Sequence, residues 1–335
     1  MRWHGFRVPD TQFRLLPIIP CHLKDAHRSL SCSVVIPTSG RPEELDRCLA
    51  AVAIQDYPSY DVIVVDNSDG EPETERLARK WKARYVLERK RGLCRARNRG
   101  ALVSSAEVVA YLDDDSLPEP SWLSGLAAEF EDPMVMGVGG KTIPLRVETD
   151  AERLFAKIRG EAYNRPTPLV VDNKTPYWFE ICGFGGIAPG CNMAVRRAAF
   201  EVWPGFNERT GRGTPIYGGD EQHAFFSLVS RGFRVAYTPY ALVRHPFPPT
   251  METLRARYLH DLTASTAYFT LMFFEEGNHR RDTLRYIWEA ARGKERTWRG
   301  SIGRRPRIVS PFLSAFALAL GPFRYLQTIL ADSRS

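Results

Sequence analysis

Short β-branched runs alternate with apolar residues at helical spacing through the first third of the chain. Ser33-Val34-Val35-Ile36-Pro37 reads as a buried strand. Pro42 suits the first turn of a helix, in which Leu45, Leu49, Val52 and Ala53 recur on one face. Residues 61–66 form a second apolar strand that ends in Asn67-Ser68-Asp69-Gly70, a turn signal. The pattern then predicts a helix over 72–82, a strand over 84–87, a helix over 93–104 and a strand over 108–112. This rhythm predicts βαβ units around a mostly parallel, Rossmann-like α/β sheet flanked by helices. In such sheets ligands bind beyond the carboxyl ends of the strands. Three polar clusters, 38–41, 66–69 and 113–115, therefore belong to one rim.

The second half is less regular. Helices are predicted over 152–162, 222–231 and 262–274, short strands over 191–195, 233–237 and 241–243, and a glycine-rich loop over 184–190. The apolar stretch 308–323 is sixteen residues long and holds Pro311 and Pro322, which is short for a membrane span. A surface-lying or buried helix is expected there.

Composition changes this picture in two places. A hydrophobic content of 44% and a charged content of 25% are those of a globular protein and exclude disorder or a collagen-like chain. The net charge of +7 is concentrated in the tail: residues 277–335 carry 12 Lys+Arg against 4 Asp+Glu, and the rest 34 against 35. Such a tail attracts an anionic surface, while a solvated helical face is the plainer alternative. The six cysteines form no CxxC pair, which predicts reduced thiols in a cytoplasmic protein. The first thirty residues are interrupted by Pro9, Pro17 and Pro20, and no signal peptide is expected there.

Asp113-Asp114-Asp115 closes the strand at 108–112 and is the sharpest chemical signal in the chain. Three adjacent carboxylates repel one another, and a divalent cation such as Mn²⁺ or Mg²⁺ relieves that repulsion through oxygen ligands. In an extended segment Asp113 and Asp115 share a side. Arg91-Gly92-Leu93-Cys94-Arg95-Ala96-Arg97-Asn98 lies upstream, and its guanidinium groups suit a diphosphate.

With these residues in order, the chain resembles the family 2 glycosyltransferases of the GT-A fold. The matching pieces are VVIPTSGRP, VIVVDNS, RGLCRARNRGA, VVAYLDDDS, GCNMAVRRAAF, GTPIYGGDEQHAFFSLVSRGFRV and YALVRHP, which together span residues 33–245. The resemblance implies a nucleotide-diphosphate sugar donor, a divalent metal on a D-x-D element, inversion at the anomeric carbon, and a glycan or lipid-linked acceptor. It implies that Pro37, Thr38, Arg41, Asp66, Asn67, Arg97, Asp113 and Asp114 line the donor site, with Thr38, Asp66 and Asn67 at the base and ribose and Arg97 at the diphosphate. Asp113, Asp115 and His245 would take the metal, His245 having a structural role as its alternative.

An inverting transfer also needs a carboxylate base. The family places Glu-Asp before a helix, whereas here the order is Asp220-Glu221. Counting back from Arg231-Gly232-Phe233 favours Glu221, and the shorter side chain favours Asp220, so both remain candidates with Asp220 preferred. Gly185, Gly186 and Asn192 are expected on the acceptor side, where backbone can approach closely. Trp178, Trp203 and Phe206 would stack on a sugar face or serve the core.

A sugar-phosphate nucleotidyltransferase is the rival enzyme, but its Gly-rich loop after the first strand is missing from Pro37-Thr38-Ser39-Gly40-Arg41-Pro42. A catalytically inactive sugar-nucleotide-binding scaffold is favoured only by the reversed acid pair. No nucleic-acid module is recognisable. The expected organisation is a leader over 1–32, a GT-A domain over 33–249 and a basic, partly apolar helical extension over 250–335. The extension is expected to hold the protein peripherally at the inner face of an anionic membrane.

Overall fold

The computed structural model describes residues 29–163, 165–292 and 308–332. Most of the expected leader, and residues 293–307 of the basic tail, lie outside the described residues.

The βαβ reading of the first third holds. It begins with β1 (Cys32–Thr38), α1 (Pro42–Val52), β2 (Tyr60–Asp66), α2 (Pro72–Lys80) and β3 (Arg84–Leu87), and continues with α3 (Leu93–Val103) and β4 (Val108–Leu112). These four strands pair in the parallel order β3-β2-β1-β4. Each burial pattern follows from the residue types. β1 and β4 are buried along their whole length, as β-branched strands covered on both faces should be.

The chain then adds β5 (Leu117–Pro118), α4 (Trp122–Ala128), β6 (Val135–Pro144), α5 (Asp150–Tyr163), β7 (Leu169–Val171), α6 (Trp178–Gly183), β8 (Asn192–Arg196), α7 (Asp220–Ser230) and β9 (Arg234–His245). β8 is antiparallel to both β4 and β6, and β9 runs parallel to β6, so the sheet continues as β4-β8-β6-β9-β5 with β7 on β9. Apolar side chains cover both faces. One layer holds Val34, Ile36, Leu49, Val64 and Trp122, the other Val35, Tyr111, Met193, Phe225 and Tyr237.

Three expectations are corrected. The strands expected over 233–237 and 241–243 are one strand, β9, which keeps its pairing to β6 through a register shift between Gly140 and Lys141. β6 was not expected at all, because Gly137, Gly139 and Gly140 dilute its apolar signal. Those glycines are required by packing: a Cβ on Gly139 would lie 2.3 Å from Ala188 Cβ, and one on Gly140 2.4 Å from Ala241 O and 2.5 Å from Asn192 Oδ1. Gly140→Ala is therefore expected to destabilise the fold by about 1–3 kcal/mol, the scale for overpacking a core, read as a lower urea midpoint.

The third correction is at the C-terminus, where α8 (Met251–Glu275), α9 (Arg280–Ala291) and α10 (Pro311–Asp332) follow one another. The apolar stretch does not stop near Pro322: α10 runs through it for 22 residues. Proline removes one hydrogen bond from a helix interior. Here the helix is carried across that position by its contact with α8, onto which Ala317 and Gly321 pack.

Candidate active site

The carboxyl ends of β1, β2 and β4 bring the three polar clusters to one rim, where the start of the antiparallel β8 brings Cys191 and the carboxyl end of β9, parallel to β4, brings His245. Within the triplet the alternation of an extended chain holds. Asp114 is fully buried, while Asp113 and Asp115 keep some exposure on the other side. The Asp114 carboxylate accepts from Thr38 Oγ1 at 2.7 Å and pairs with Arg41, whose Nη1 also meets Asp115 Oδ2 at 2.9 Å. Burial pushes Asp114 up to about 6 against the pull of Arg41 and Thr38.

Asp115 has the opposite balance. Burial acts to raise it, but His245 and Arg41 hold its carboxyl well below the usual carboxylate range. His245 Nδ1 lies 2.8 Å from the carbonyl oxygen of Pro246 and donates there, which turns Nε2 toward the triplet. That nitrogen sits 3.3 Å from Asp115 Oδ1, a buried oxygen with no hydrogen-bond partner. Either a proton on Nε2 or a cation between the two atoms would satisfy that oxygen. Ligand atoms of Asp113, Cys191 and His245 lie within 4.8 Å of one another at the same place. The residues thus fit a divalent cation, and the backbone acceptor on Nδ1 is the arrangement that orients a metal-binding imidazole.

Across the rim, α7 opens with the acid pair. Gly219, at φ 90°, turns the chain into the helix. Asp220 is buried and pairs with Arg97 Nη1. The Arg97 guanidinium also donates to Gly190 O at 2.8 Å and lies 3.4 Å from Asp113 Oδ1. Glu221 keeps a partly accessible surface, but its carboxyl is packed round by protein beside Asp220. Burial first, and the like charge of Asp220 second, push it up to about 8.

Several expected roles are corrected by this geometry. Arg97 is 1% exposed and both its Nη atoms are engaged by Asp220, Asp113 and Gly190, with Nε buried and unpartnered, so its guanidinium is a buried brace. The Asp66 carboxylate accepts from Ser68 N at 3.0 Å and from Glu71 N and Tyr85 Oη at 2.9 Å each. Asn67 donates to Glu88 O and Lys90 O and accepts from Gly92 N. The side chains of Thr38, Asp66, Asn67 and Asp114 are thus all engaged within the protein. Pro37 is buried within β1.

Gly185 and Gly186 are buried and do not offer backbone to an acceptor. Asn192 is fully buried, donating to Lys141 O and Ala241 O and accepting from Trp122 Nε1. Trp203 packs in the core between Phe200 and Phe206, and Phe206 lies beneath Arg97. Trp178 packs on Phe179, Phe226 and His279. The five described cysteines are buried and unpaired with one another.

Two site residues went unnoticed in the sequence. Cys191 joins Asp113 and His245, and only the antiparallel return of β8 shows it. Arg212 lies on the loop between β8 and α7, flanked by Gly211 and Gly213, both at φ 86°. Burial acts to lower it, but Asp113, Tyr217, Asp115 and Asp220 hold it above its ordinary value. Among the described residues no hydrogen bond or ion pair occupies its guanidinium. A single arginine between two glycines just ahead of an acid pair is the signal that would have found it.

Residues 33–203 match the model of glycosyl transferase family 2, and since that is just over half of the sequence, the chain belongs to this family. It is 34% identical over 116 residues to glycosyltransferase AglE of Haloferax volcanii, covering 32% of this chain and 38% of that one. Over 227 residues it is 26% identical to an N-acetylglucosaminyltransferase of Rhizobium meliloti, covering 65% and 52%. Over 235 residues it is 25% identical to the glucosyl-dolichyl phosphate glucuronosyltransferase of H. volcanii, covering 64% and 69%. The chain spans about half the length, or less, of the first two of these relatives. Among solved structures it resembles the mannosyltransferase PcManGT of Pyrobaculum calidifontis in complex with GDP-Man and Mn²⁺. The TM-score is 0.52 at 20% identity, covering 92% of this chain and 75% of that one, a likeness of fold. The fold is thus GT-A, with a helical region at the C-terminus.

Proposed function

We propose that this chain transfers a sugar from a nucleotide-diphosphate donor to an acceptor hydroxyl, with inversion and with a divalent metal. The observation that carries this reading is the pair of opposed groups on one rim: Asp113, Asp115 and His245 on one side, Asp220-Glu221 on the other. The GDP-Man and Mn²⁺ bound by PcManGT support a nucleotide sugar and a divalent cation, Mn²⁺ or Mg²⁺, here. The dolichyl-phosphate-linked substrate named for the haloarchaeal relative supports a glycan or lipid-linked acceptor. The catalytic unit in this reading is 33–249, followed by the extension 250–335.

Asp113, Asp115 and His245 would hold the cation, which when bound offsets negative charge on the departing diphosphate. Arg212 takes the diphosphate role first expected of Arg97, because its guanidinium is uncommitted and lies among the same carboxylates. Glu221 is the base. Asp220 is held by Arg97 as a buried ion pair, whereas Glu221 is partly accessible and, among the described residues, forms no ion pair. Its carboxylate takes the acceptor proton as the acceptor oxygen bonds to the anomeric carbon. The bond from that carbon to the phosphate oxygen breaks at the opposite face, and the electron pair leaves with the nucleoside diphosphate. Arg97 and Asp220 set the position of Glu221 at the start of α7.

The test is thermal stabilisation by UDP-, GDP- and dTDP-sugars with and without Mn²⁺, together with donor hydrolysis. Stabilisation by one donor only when metal is present is the expected result. No response to any donor would favour an inactive relative. Asp115→Asn is expected to keep the fold, since Arg41 retains Asp114. It should abolish turnover and remove the Mn²⁺-dependent part of the thermal shift. Retained metal-dependent activity in this variant would contradict the assignment.

A further inference from the structure

α10 carries more apolar surface than its packing covers. Its protein-facing stripe is Ala317, Gly321, Tyr325 and Thr328, spaced to lie along one side of the helix. That stripe seats on α8. Thr263 Oγ1 donates to Ala317 O at 3.0 Å, a Cβ on Gly321 would lie 2.0 Å from Thr266 Oγ1, and Tyr325 stacks on Phe274 at 5.8 Å. Nearly everything else on the helix faces outward and is apolar. Phe312 is 78% exposed and Phe323 64%, with Phe316, Leu326 and Leu330 each more than half exposed. A helix hydrophobic on every side belongs in a core or against lipid, and this one is not in a core.

We infer that α10 lies in the plane of an anionic lipid bilayer, with its outward face in the headgroup–acyl boundary. Two observations select lipid over a second copy of this chain. First, the segment just before α10, residues 293–307, holds six Lys+Arg and one Asp or Glu, the complement of an anionic leaflet. Second, Arg324 is the sole charged residue of α10 before Asp332, so the helix offers no acidic group to match that basic segment in a partner copy.

The helix lies along the surface and does not cross it. At 22 residues it is about 33 Å long, enough to span by length. Its packing along α8 forbids this, because α8 would be drawn in with it. α8 exposes Glu252, Arg255 and His260 and carries Arg257 and Asp261 as an ion pair. Charged residues at bilayer depth cost about 2.5–3.5 kcal/mol each. The in-plane position leaves the charged half of α8 in water.

This placement reaches the acid pair directly. α8 underlies the loop that enters α7: a Cβ on Gly219 would lie 2.6 Å from the ring of Tyr268, and Tyr217 meets His260 at 5.4 Å. The bilayer-bound helix pair thereby holds Asp220-Glu221 near the lipid surface. The membrane contact stands apart from the transfer chemistry, and only its corollary, a lipid-borne acceptor, rests on the function proposed above.

Flotation of the full chain with vesicles of phosphatidylcholine, alone or with phosphatidylglycerol, tests the inference. The protein should float with the anionic vesicles, less well with neutral ones and less well at high salt. Phe312→Asp, Phe316→Asp and Phe323→Asp together should lower the bound fraction at least about ten-fold, since all three side chains leave the apolar layer. Melting temperature and the donor shift with Mn²⁺ should stay unchanged, because none of the three supports the core. A wild-type protein that stays at the bottom with every vesicle overturns the inference, and so does a triple variant that floats equally well. A concentration-dependent dimer that the same substitutions dissociate, without vesicle binding, assigns the face to a second copy and also overturns it. Flotation without any donor response would sink the proposed chemistry and leave the membrane contact standing.

Discussion

Glu221→Gln should lower kcat by about 10²–10⁴-fold, the scale of a lost general base, with the fold and the metal-dependent donor shift intact. The amide keeps the shape of the side chain but cannot accept the acceptor proton. Wild-type activity should rise with pH through an acid limb near 8, where Glu221 becomes ionised. In Glu221→Gln the residual activity should lose that limb. Stability must move the other way. The folded state holds this carboxyl about 8 against an ordinary 4.5, so it binds the proton more tightly than the unfolded chain. Its stabilising contribution is complete below 4.5 and is lost as pH rises through about 8. The variant should therefore melt higher than wild type at pH 8 and above. A variant that kept wild-type kcat would return the base to Asp220.

Arg97→Met should cost about 3–5 kcal/mol, the penalty for removing one partner of a buried ion pair. Asp220 would remain buried without its cation, and Gly190 O would lose its donor. Asp220→Asn in the same chain should recover part of the loss, because the second substitution removes the stranded charge. A urea double-mutant cycle measures the coupling. If Arg97 instead served a diphosphate, Arg97→Met would weaken donor binding with little change in the urea midpoint. Arg212→Ala is expected to give that second pattern.

These two residues show how far the sequence carries. Arg97 was legible as a cation near the acid triplet, which is correct in chain order and in space. Its partner was not legible, because Asp220 is 123 residues away and meets it only where α3 and α7 converge on Gly190. The same applies to Asn67, expected at the base and ribose, and Asn192, expected on the acceptor side. Each proves to be a hydrogen-bonded pin between backbone segments. A polar side chain at a loop edge has the same local signature whether it waits for a ligand or ties the loop down. Only the distance to its partners distinguishes the two.

The sequence alone determined the parallel half of the sheet, from the period of its apolar positions, and the rim, from where the strands end. It also determined the order of the acid triplet and the acid pair, and hence the family. These are local properties, carried by neighbours in the chain. The tertiary structure decided which charges are spent. It sealed Asp114 beneath Arg41, gave Asp220 to Arg97, left Glu221 without an ion pair and the Arg212 guanidinium unpaired among the described residues, and brought Cys191 to His245. It also turned an apolar stretch divided by Pro322 into one helix with an uncovered face. Ion pairing, burial and desolvation depend on what lies within a few ångströms in space, and that is fixed only when distant strands and helices pack.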